Sequence, residues 1–336
     1  MLQPSCSVWQ LTEVLPDNST EENTEKIKVN KKSLFAVFLC AACGVAGAQV
    51  ANPTTTLQWP QSGHQHMYTP ENGEVPLYRI TVVGRTIPAI NYIHRSGATE
   101  IGFRGTNLLP QGRGSAKVES LKGRMMIDAK FKGLVPANSF GIEYLTYVLW
   151  AITPDGRPVN LGEVLPDGTK CEITVTTNLQ AYGLIVTAEP YYAVTMPSDL
   201  VVMENYVLPN KTQGVIQQVD AHYELLPRGI YGKTGGQHTV QHPITRDDVW
   251  PLSLYEAINA VQIADAEGAE KYAAAPMARA KQYLRDAKQM DGHKSERKME
   301  ISYARQAVQA AEDARIMTVR KMRDDRAREE KAKTNG

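Results

Sequence analysis

The hydrophobic period of the chain changes once, at Pro251, and this change restricts the fold more than any other feature of the sequence. Before it, over residues 76–208, apolar residues alternate with polar ones or form short continuous runs, which is typical of β-strands. After it, apolar residues recur every three or four positions, which is typical of amphipathic helices. The sequence therefore predicts a mainly β domain followed by a helical domain.

Two stretches carry most of the strand prediction. One has apolar residues at every second position, as in a strand with one buried face: Met125, Ile127, Ala129 and Phe131. The other, Tyr144–Ile152, is almost wholly apolar and predicts a central strand covered on both faces, with Trp150 as its core anchor. Several short strands with no helices between them predict an antiparallel, immunoglobulin-like β-sandwich. The Cys…Trp…Cys frame of antibody domains is absent, so the likeness is one of architecture.

The helical part is predicted over residues 251–320. Ser253 and Glu256 have the spacing of a capping box at its start. Apolar stripes follow on three segments: Leu254, Ile258 and Val261; Met277, Ala280, Leu284 and Ala287; Ile301, Ala304, Val308 and Ala311. The small alanines predict close helix approach, in a hairpin, a three-helix unit or a coiled-coil dimer.

The remaining segments are predicted to be less regular. Residues 49–75 are rich in Pro, Thr, Gln, Gly and Asn and indicate a flexible lead-in. Residues 209–250 indicate a linker or an irregular lobe, because Gly and Pro recur along them. Residues 321–336 carry charges of both signs and indicate a solvated tail.

A segment near the N-terminus predicts export. Lys31-Lys32 precedes a short apolar run over residues 33–43, and an Ala46-x-Ala48 site follows. These three parts form a secretory signal peptide, with cleavage after Ala48 and a mature chain that begins at Gln49. A buried helix or a membrane anchor is the alternative, but the run is short of the roughly 20 apolar residues that span a bilayer.

Two details of this segment leave further alternatives. Residues 1–28 are polar and acidic, which is unusual before a signal peptide, and translation from Val29 would account for them. Residues 39–43 also resemble a lipobox, which would make Cys43 a lipidation site, although Cys40 stands where leucine is usual.

Cysteine content and net charge exclude a disulfide-stabilised domain and a nucleic-acid-binding protein. After cleavage only Cys171 remains, so the domain has no intrachain disulfide, and strand alternation places this thiol beside Ile173 and Val175 in the core. Lys plus Arg number 37 and Asp plus Glu 36, a net charge of +1. This balance does not fit a nucleic-acid-binding protein, which gains affinity by neutralising phosphates.

No motif in the sequence indicates an enzyme, a cofactor or a metal site. The nucleophile-elbow and zinc-protease patterns are absent, and Gly232-Lys233-Thr234 has Pro227 where a phosphate loop needs glycine. We therefore expect a non-enzymatic protein without cofactor. Its candidate ligand contacts are His94, Tyr191 and Tyr192, because tyrosine is a good amphipathic contact.

Two parts of the chain resemble known envelope domains. Residues 144–163, from Tyr144 to Glu163, are similar to the N-terminal β domain of OmpA-family proteins of acidobacterial type. The alanine-rich stretches 255–260, 280–287 and 304–315 resemble a helical envelope domain that often precedes an OmpA-like peptidoglycan-binding domain. That last domain is not found here, so the resemblance does not imply direct peptidoglycan binding, and it carries over no functional residues.

The sequence thus predicts a structural or interaction protein of the periplasm or outer membrane. Its expected partners are envelope proteins or cell-wall components, or a second copy of the chain bound through the helical segment. Membrane attachment is expected only with a lipidated Cys43. The alternative is a periplasmic binding module for a glycan or small ligand.

Overall fold

A computed structural model describes the residues that form the sheet and the helices. These are residues 83–92, 97–167, 170–209, 211–212, 223–226, 231, 233–234, 237–238, 250–290 and 295–334. The predicted signal segment, with Cys43, Ala46, Ala48 and Gln49, lies outside the described residues, as does the lead-in over 49–75. In the described part an antiparallel sheet is followed by helices, which confirms the predicted order of β and α structure.

The strands are short and are joined mainly by tight turns. They are β1 (Val83–Arg85), β2 (Ile90–Asn91), β3 (Thr99–Gly105), β4 (Arg113–Leu121), β5 (Arg124–Lys132), β6 (Thr146–Ile152), β7 (Pro158–Val164), β8 (Pro166–Asp167), β9 (Lys170–Thr177), β10 (Ala181–Glu189), β11 (Val201–Val207), β12 (Tyr223–Leu225), β13 (Lys233–Thr234) and β14 (Gln237–His238). A 3₁₀ turn, Ala137–Phe140, stands between β5 and β6.

Ten of these strands form one antiparallel sheet. Its order is β7-β6-β10-β11-β3-β4-β5-β9-β8, and β2 pairs with β10. Two separate pairs, β1 with β12 and β13 with β14, form small additional sheets.

The sheet is nearly closed, and this corrects the predicted sandwich. Strand β7 is the first strand of the sheet and β9 is next to the last one. The two strands nevertheless contact each other. A Cβ placed on Gly162 of β7 would lie 3.3 Å from Ile173 Cδ1 of β9. The immunoglobulin-like arrangement of two stacked sheets is therefore replaced by one sheet that curls into a barrel-like shape, because a twisted sheet of this width can bury one face against itself.

The strand patterns predicted from the sequence are confirmed. Met125, Ile127, Ala129 and Phe131 of β5 are all buried, and the residues between them face outward or are half-buried. All seven residues of β6 are buried, so both of its faces are covered, and it is a central strand because it lies between β7 and β10. Trp150 on this strand has no exposed surface.

Cys171 is a buried thiol on the inward face of β9, as its alternation with polar residues predicts. It is 4 % exposed. Burial raises its pKa to about 11, so the unreactive protonated form dominates at neutral pH.

The helices begin close to the predicted position. They are α1 (Leu252–Ala266), α2 (Ala269–Tyr272), α3 (Ala274–Gln289) and α4 (Arg297–Thr334). The predicted capping box at Ser253 and Glu256 was wrong. No side chain caps α1, and the Glu256 carboxylate instead accepts a hydrogen bond from the backbone of Tyr192.

The alanine stripes bring the helices together within one chain. Helix α4 contacts both α1 and α3. Its Ala304, Ala307 and Ala311 have no exposed surface, nor do Ala280 and Ala287 of α3. Small side chains let helix backbones approach closely, which explains this stripe. Burial on α4 ends at Thr318, and the helix continues beyond it to Thr334 with mostly exposed residues.

The segment before the helices also contributes to the core. Within residues 209–250, Tyr223, Leu225, Leu226 and Tyr231 are buried. Strand β12 pairs with β1, and Tyr231 lies edge-to-face against Tyr191, with ring centroids 6.5 Å apart. Sheet and helices therefore share one hydrophobic core.

Candidate functional site

The loop between β10 and β11, residues 190–200, contacts the helices and carries two of the predicted ligand contacts. Tyr191 is fully buried, and its hydroxyl donates to Glu312 Oε2 of α4 at 2.7 Å. Tyr192 is half-buried, and its hydroxyl donates to the Arg305 carbonyl at 2.9 Å. The third candidate, His94, lies outside the described residues. We call the region where this loop meets α1 and α4 the junction.

A buried ion pair lies at the centre of the junction. Arg315 donates from Nε to Glu312 Oε2 at 2.7 Å and from Nη2 to Glu312 Oε1 at 2.8 Å. Glu312 has no exposed surface, and it also accepts hydrogen bonds from the Thr195 backbone and hydroxyl. Burial alone would raise the pKa of Glu312, but Arg315 and these hydrogen bonds outweigh it and hold the pKa below its ordinary value. The carboxylate is therefore charged and fully partnered.

A second polar group lies where β7 meets α1 and α4. Glu163 accepts a hydrogen bond from the Thr146 hydroxyl at 2.8 Å and pairs with Arg305 Nη1 at 3.1 Å. The Arg305 guanidinium lies over the Tyr192 ring, with Cζ 3.8 Å from the ring centroid. Burial, and then the neighbouring Glu163 carboxylate, raise the pKa of Glu256 well above its ordinary value.

A third group connects the sheet to the same loop. The Trp150 indole donates to the Thr187 hydroxyl at 2.8 Å, and that hydroxyl donates to Glu189 Oε1 at 2.5 Å. The Ser198 backbone donates to the same carboxyl oxygen at 2.8 Å. Burial raises the pKa of Glu189 to about 8 in spite of these hydrogen bonds.

The raised pKa of Glu189 predicts an unusual pH dependence of stability. In the folded chain this carboxyl keeps its proton up to about pH 8, whereas its ordinary pKa is 4.5. Its stabilising contribution is therefore complete below pH 4.5 and is lost as the pH rises toward 8. Replacing Glu189 by glutamine should make the fall in unfolding free energy between pH 5.5 and 7.5 shallower by about 1 kcal/mol per pH unit. Urea unfolding at the two pH values measures this.

The matched control is Glu172→Gln, since the Glu172 side chain is 52 % exposed on β9. It should leave the pH dependence unchanged. The prediction would be contradicted if the unfolding free energy fell equally steeply with pH in the unmodified chain and in the Glu189→Gln variant.

A shallow cleft of about 330 Å³ opens at the surface of the junction. Its lining residues are Asn160, Tyr192, Ala193, Val194, Thr195 and Gln309. The Asn160 amide donates to the carbonyls of Tyr192 and Val194 at 2.8 and 2.9 Å, which fixes the loop that forms one wall. The Gln309 side chain forms part of the opposite wall and is exposed. The cleft offers amide, hydroxyl and carbonyl groups and one aromatic ring.

Among the described residues, no group of three or more His, Cys, Asp or Glu side chains could hold a metal ion. The buried carboxyls at the junction are covered by protein and do not line the cleft. The described helices include none that is both long and apolar enough to cross a membrane.

The chain matches no family model, no curated protein and no solved structure. Its function is therefore inferred from its own residues and contacts.

Sequence reasoning missed the buried charges of the junction, although one signal was present. The apolar stripe of α4 runs through Ala304, Val308 and Ala311, and the next positions on that face are Arg315 and Thr318. A charged residue that continues a buried stripe predicts a buried partner. The partner itself was not predictable, because Glu312 joins residues from a loop more than 100 positions away.

Proposed function

We propose that the protein is an exported, non-enzymatic component of the bacterial cell envelope that presents a rigid helical arm to a partner. The arm is residues 321–334 of α4. One observation carries the proposal: Glu312 in the middle of α4 accepts hydrogen bonds from Tyr191 and Thr195 of the loop that leaves the sheet, whereas the arm is mostly exposed. The signal-peptide pattern before Gln49 supports export.

The composition of the arm supports a role in contact with other macromolecules. It carries six basic and four acidic residues and few large apolar ones. A helix that is polar on all sides gains little from intramolecular burial and is typical of spacers and bridging elements. At 1.5 Å per residue the arm is about 20 Å long, enough to reach away from the barrel. The expected partners are envelope proteins, cell-wall components or a second copy of the chain.

Site-specific crosslinking in the native host tests the arm. A photo-reactive residue at Arg328, in the middle of the arm, should form a covalent complex in the envelope fraction. The same residue at Thr176, on the exposed face of β9, is the matched control and should give little product. Absence of any complex from Arg328, or equal yields from both positions, would overturn the proposed role of the arm.

The mass of the native chain tests export separately. A chain beginning at Gln49 in the periplasm agrees with cleavage after Ala48. An acylated chain beginning at Cys43 in the outer-membrane fraction agrees with a lipoprotein. Recovery of an unprocessed chain from the cytoplasm would overturn the envelope assignment.

The cleft beside Tyr192 favours a second candidate, a binding module for a glycan or small ligand. Tyr192 supplies an aromatic surface and Asn160, Thr195 and Gln309 supply polar groups around it. Cell-wall fragments should then raise the thermal unfolding temperature of the purified chain. The Gln309→Trp substitution, at an exposed position of the cleft wall, should abolish that shift without changing the unfolding temperature in buffer. No shift with any fragment would exclude this candidate.

A further inference from the structure

A second cleft, lined by cationic side chains, lies at the hairpin between β3 and β4. It has a volume of about 410 Å³ and shares no residue with the cleft at the junction. Its lining residues are Arg104, Gly105, Thr106, Asn107, Pro110, Arg113 and Tyr206. We call it the arginine cleft.

Three cations stand directly beside one another at this end of the sheet. In the strand register Arg104 lies opposite Arg113, and Arg113 lies opposite Lys132. Like charges in opposed positions destabilise a sheet. One carboxylate, Glu204, contacts Arg104 at 2.9 Å and Arg85 at 3.5 Å. Within the described part of the chain no carboxylate contacts Arg113 or Lys132, so this end of the sheet, next to the cleft, has an excess of positive charge.

Both guanidinium groups are held by the protein along one edge only. Arg104 donates to Glu204 Oε1 from Nε at 3.1 Å and from Nη2 at 2.9 Å. Arg113 donates from Nη1 to the carbonyls of Pro110 and Gly112 at 2.7 and 2.6 Å. Among the described residues, Arg104 Nη1 and Arg113 Nη2 have no hydrogen-bond partner. Each arginine is therefore oriented and still has donors to offer.

The hairpin that carries the cleft is itself well ordered. The Thr106 hydroxyl donates to the Val201 carbonyl at 2.7 Å and accepts from the Leu108 backbone at 3.2 Å. The Thr106 backbone also donates to the Val202 carbonyl at 2.9 Å. These bonds tie the hairpin to β11, so the cleft is formed before any ligand binds. Pre-organisation of this kind lowers the entropic cost of binding.

Tyr206 adds an amphipathic surface beside the arginines. Its ring lies against Gly102 so closely that a Cβ at that glycine would be 2.4 Å from the ring carbon Cζ. No side chain other than hydrogen fits between strand and ring, so the ring is held flat over β3. An aromatic ring of this kind can contact the organic part of a ligand while the arginines bind its anionic group.

We propose that the arginine cleft binds a phosphomonoester group, with Arg104 and Arg113 as its cationic contacts and Lys132, opposite Arg113 on β5, adding positive charge beside it. A phosphomonoester carries a charge between −1.5 and −2 and three acceptor oxygens, which suits several converging donors better than a single carboxylate does. The organic part of the ligand lies against Tyr206. The same group occurs in soluble sugar phosphates and in the headgroup of phosphatidic acid, and both satisfy this chemistry.

Binding measurements on the purified full-length chain test the proposal. The soluble probes are glucose 1-phosphate, inorganic phosphate and acetate, followed by calorimetry. The membrane probes are vesicles of phosphatidylcholine with and without phosphatidic acid, followed by co-sedimentation. We expect glucose 1-phosphate or the phosphatidic acid vesicles to bind at low salt, and the probe that binds more tightly identifies the source of the phosphate. Acetate should bind at least about tenfold more weakly.

Matched variants locate the site. The double variant Arg113→Gln with Lys132→Gln should weaken binding by about tenfold or more, because it removes charge-assisted hydrogen bonds. The control is Arg124→Gln, which removes one exposed positive charge at the other end of β5. It should change affinity less than about twofold. Circular dichroism should show that all variants are folded.

Three results would overturn the proposal. The first is that no phosphate-bearing probe binds the unmodified chain. The second is that acetate binds as tightly as glucose 1-phosphate. The third is that Arg124→Gln weakens binding as much as the double variant, since the effect would then be one of general surface charge.

Discussion

Replacing Arg315 by methionine is expected to lower the free energy of unfolding by about 3–5 kcal/mol. The substitution leaves Glu312 buried without its countercharge, in a position with no exposed surface. Breaking one side of a buried ion pair is costly because the remaining charge has lost both water and partner. Urea unfolding followed by far-ultraviolet circular dichroism measures the loss.

The same helix offers a matched control. Arg328 forms an ion pair with Asp325, also three residues before it, at 3.4 Å, but its side chain is 78 % exposed. Arg328→Met should change the unfolding free energy by less than about 0.5 kcal/mol, because exposed ion pairs are screened by water. Similar losses at both positions would show that burial of the Glu312–Arg315 pair is not the reason for its effect.

A double-mutant cycle separates the pair from its surroundings. The combined Glu312→Leu and Arg315→Met variant should be more stable than the sum of the two single losses predicts, by about 1–3 kcal/mol. The double variant no longer contains a buried Glu312 charge without Arg315, although Glu267 loses its weaker contact with Arg315 at 3.7 Å. Additive losses would contradict a direct interaction between these two side chains.

Replacing Trp150 by alanine is the second substitution with a large expected effect, a loss of about 3–5 kcal/mol. The indole is fully buried on a strand that is covered on both faces, so its removal leaves a cavity that the neighbouring strands cannot close. It also removes the indole donor to the Thr187 hydroxyl. That hydroxyl donates to Glu189, which also accepts a hydrogen bond from the Ser198 backbone. Urea unfolding followed by circular dichroism again measures the change.

Trp150→Phe distinguishes these two contributions. Phenylalanine keeps most of the buried ring and loses the indole donor, so its cost should be clearly smaller than that of alanine. A loss below about 1 kcal/mol for Trp150→Ala would contradict the place of this residue at the centre of the core.

These predictions concern how sheet and helices are held together, which matters for the proposed function. A helical arm transmits position or force only when its base is fixed. The junction fixes α4 to the sheet through the Arg305–Glu163 ion pair and the hydrogen bonds from Tyr191 and Tyr192, whereas the alanine stripes fix it to α1 and α3. An Arg315→Met variant that stays folded should therefore also reduce crosslinking from Arg328 if the arm depends on its base.

The sequence by itself determined the local structure of the described residues. Alternation placed Met125 to Phe131 and Cys171 on inward faces, and the apolar run of 144–152 identified a strand covered on both sides. Spacings of three and four identified the buried faces of α3 and α4, whereas α1 is buried on nearly all sides and Ile258 of its predicted stripe is only half-buried. These predictions succeed because side-chain direction follows from backbone period alone.

Tertiary structure alone decided the closure of the sheet and the partners of its buried charges. The contact of β7 with β9 depends on how the whole sheet twists, so a sandwich and a barrel have the same strand pattern. Glu256 has the spacing of a capping residue, yet it binds Tyr192 because folding brings a loop from 64 positions away to the helix end. Likewise, Glu312 meets Tyr191 across 121 positions. Periodicity carries no information about such distant pairs, because it reports which face is buried and not what buries it.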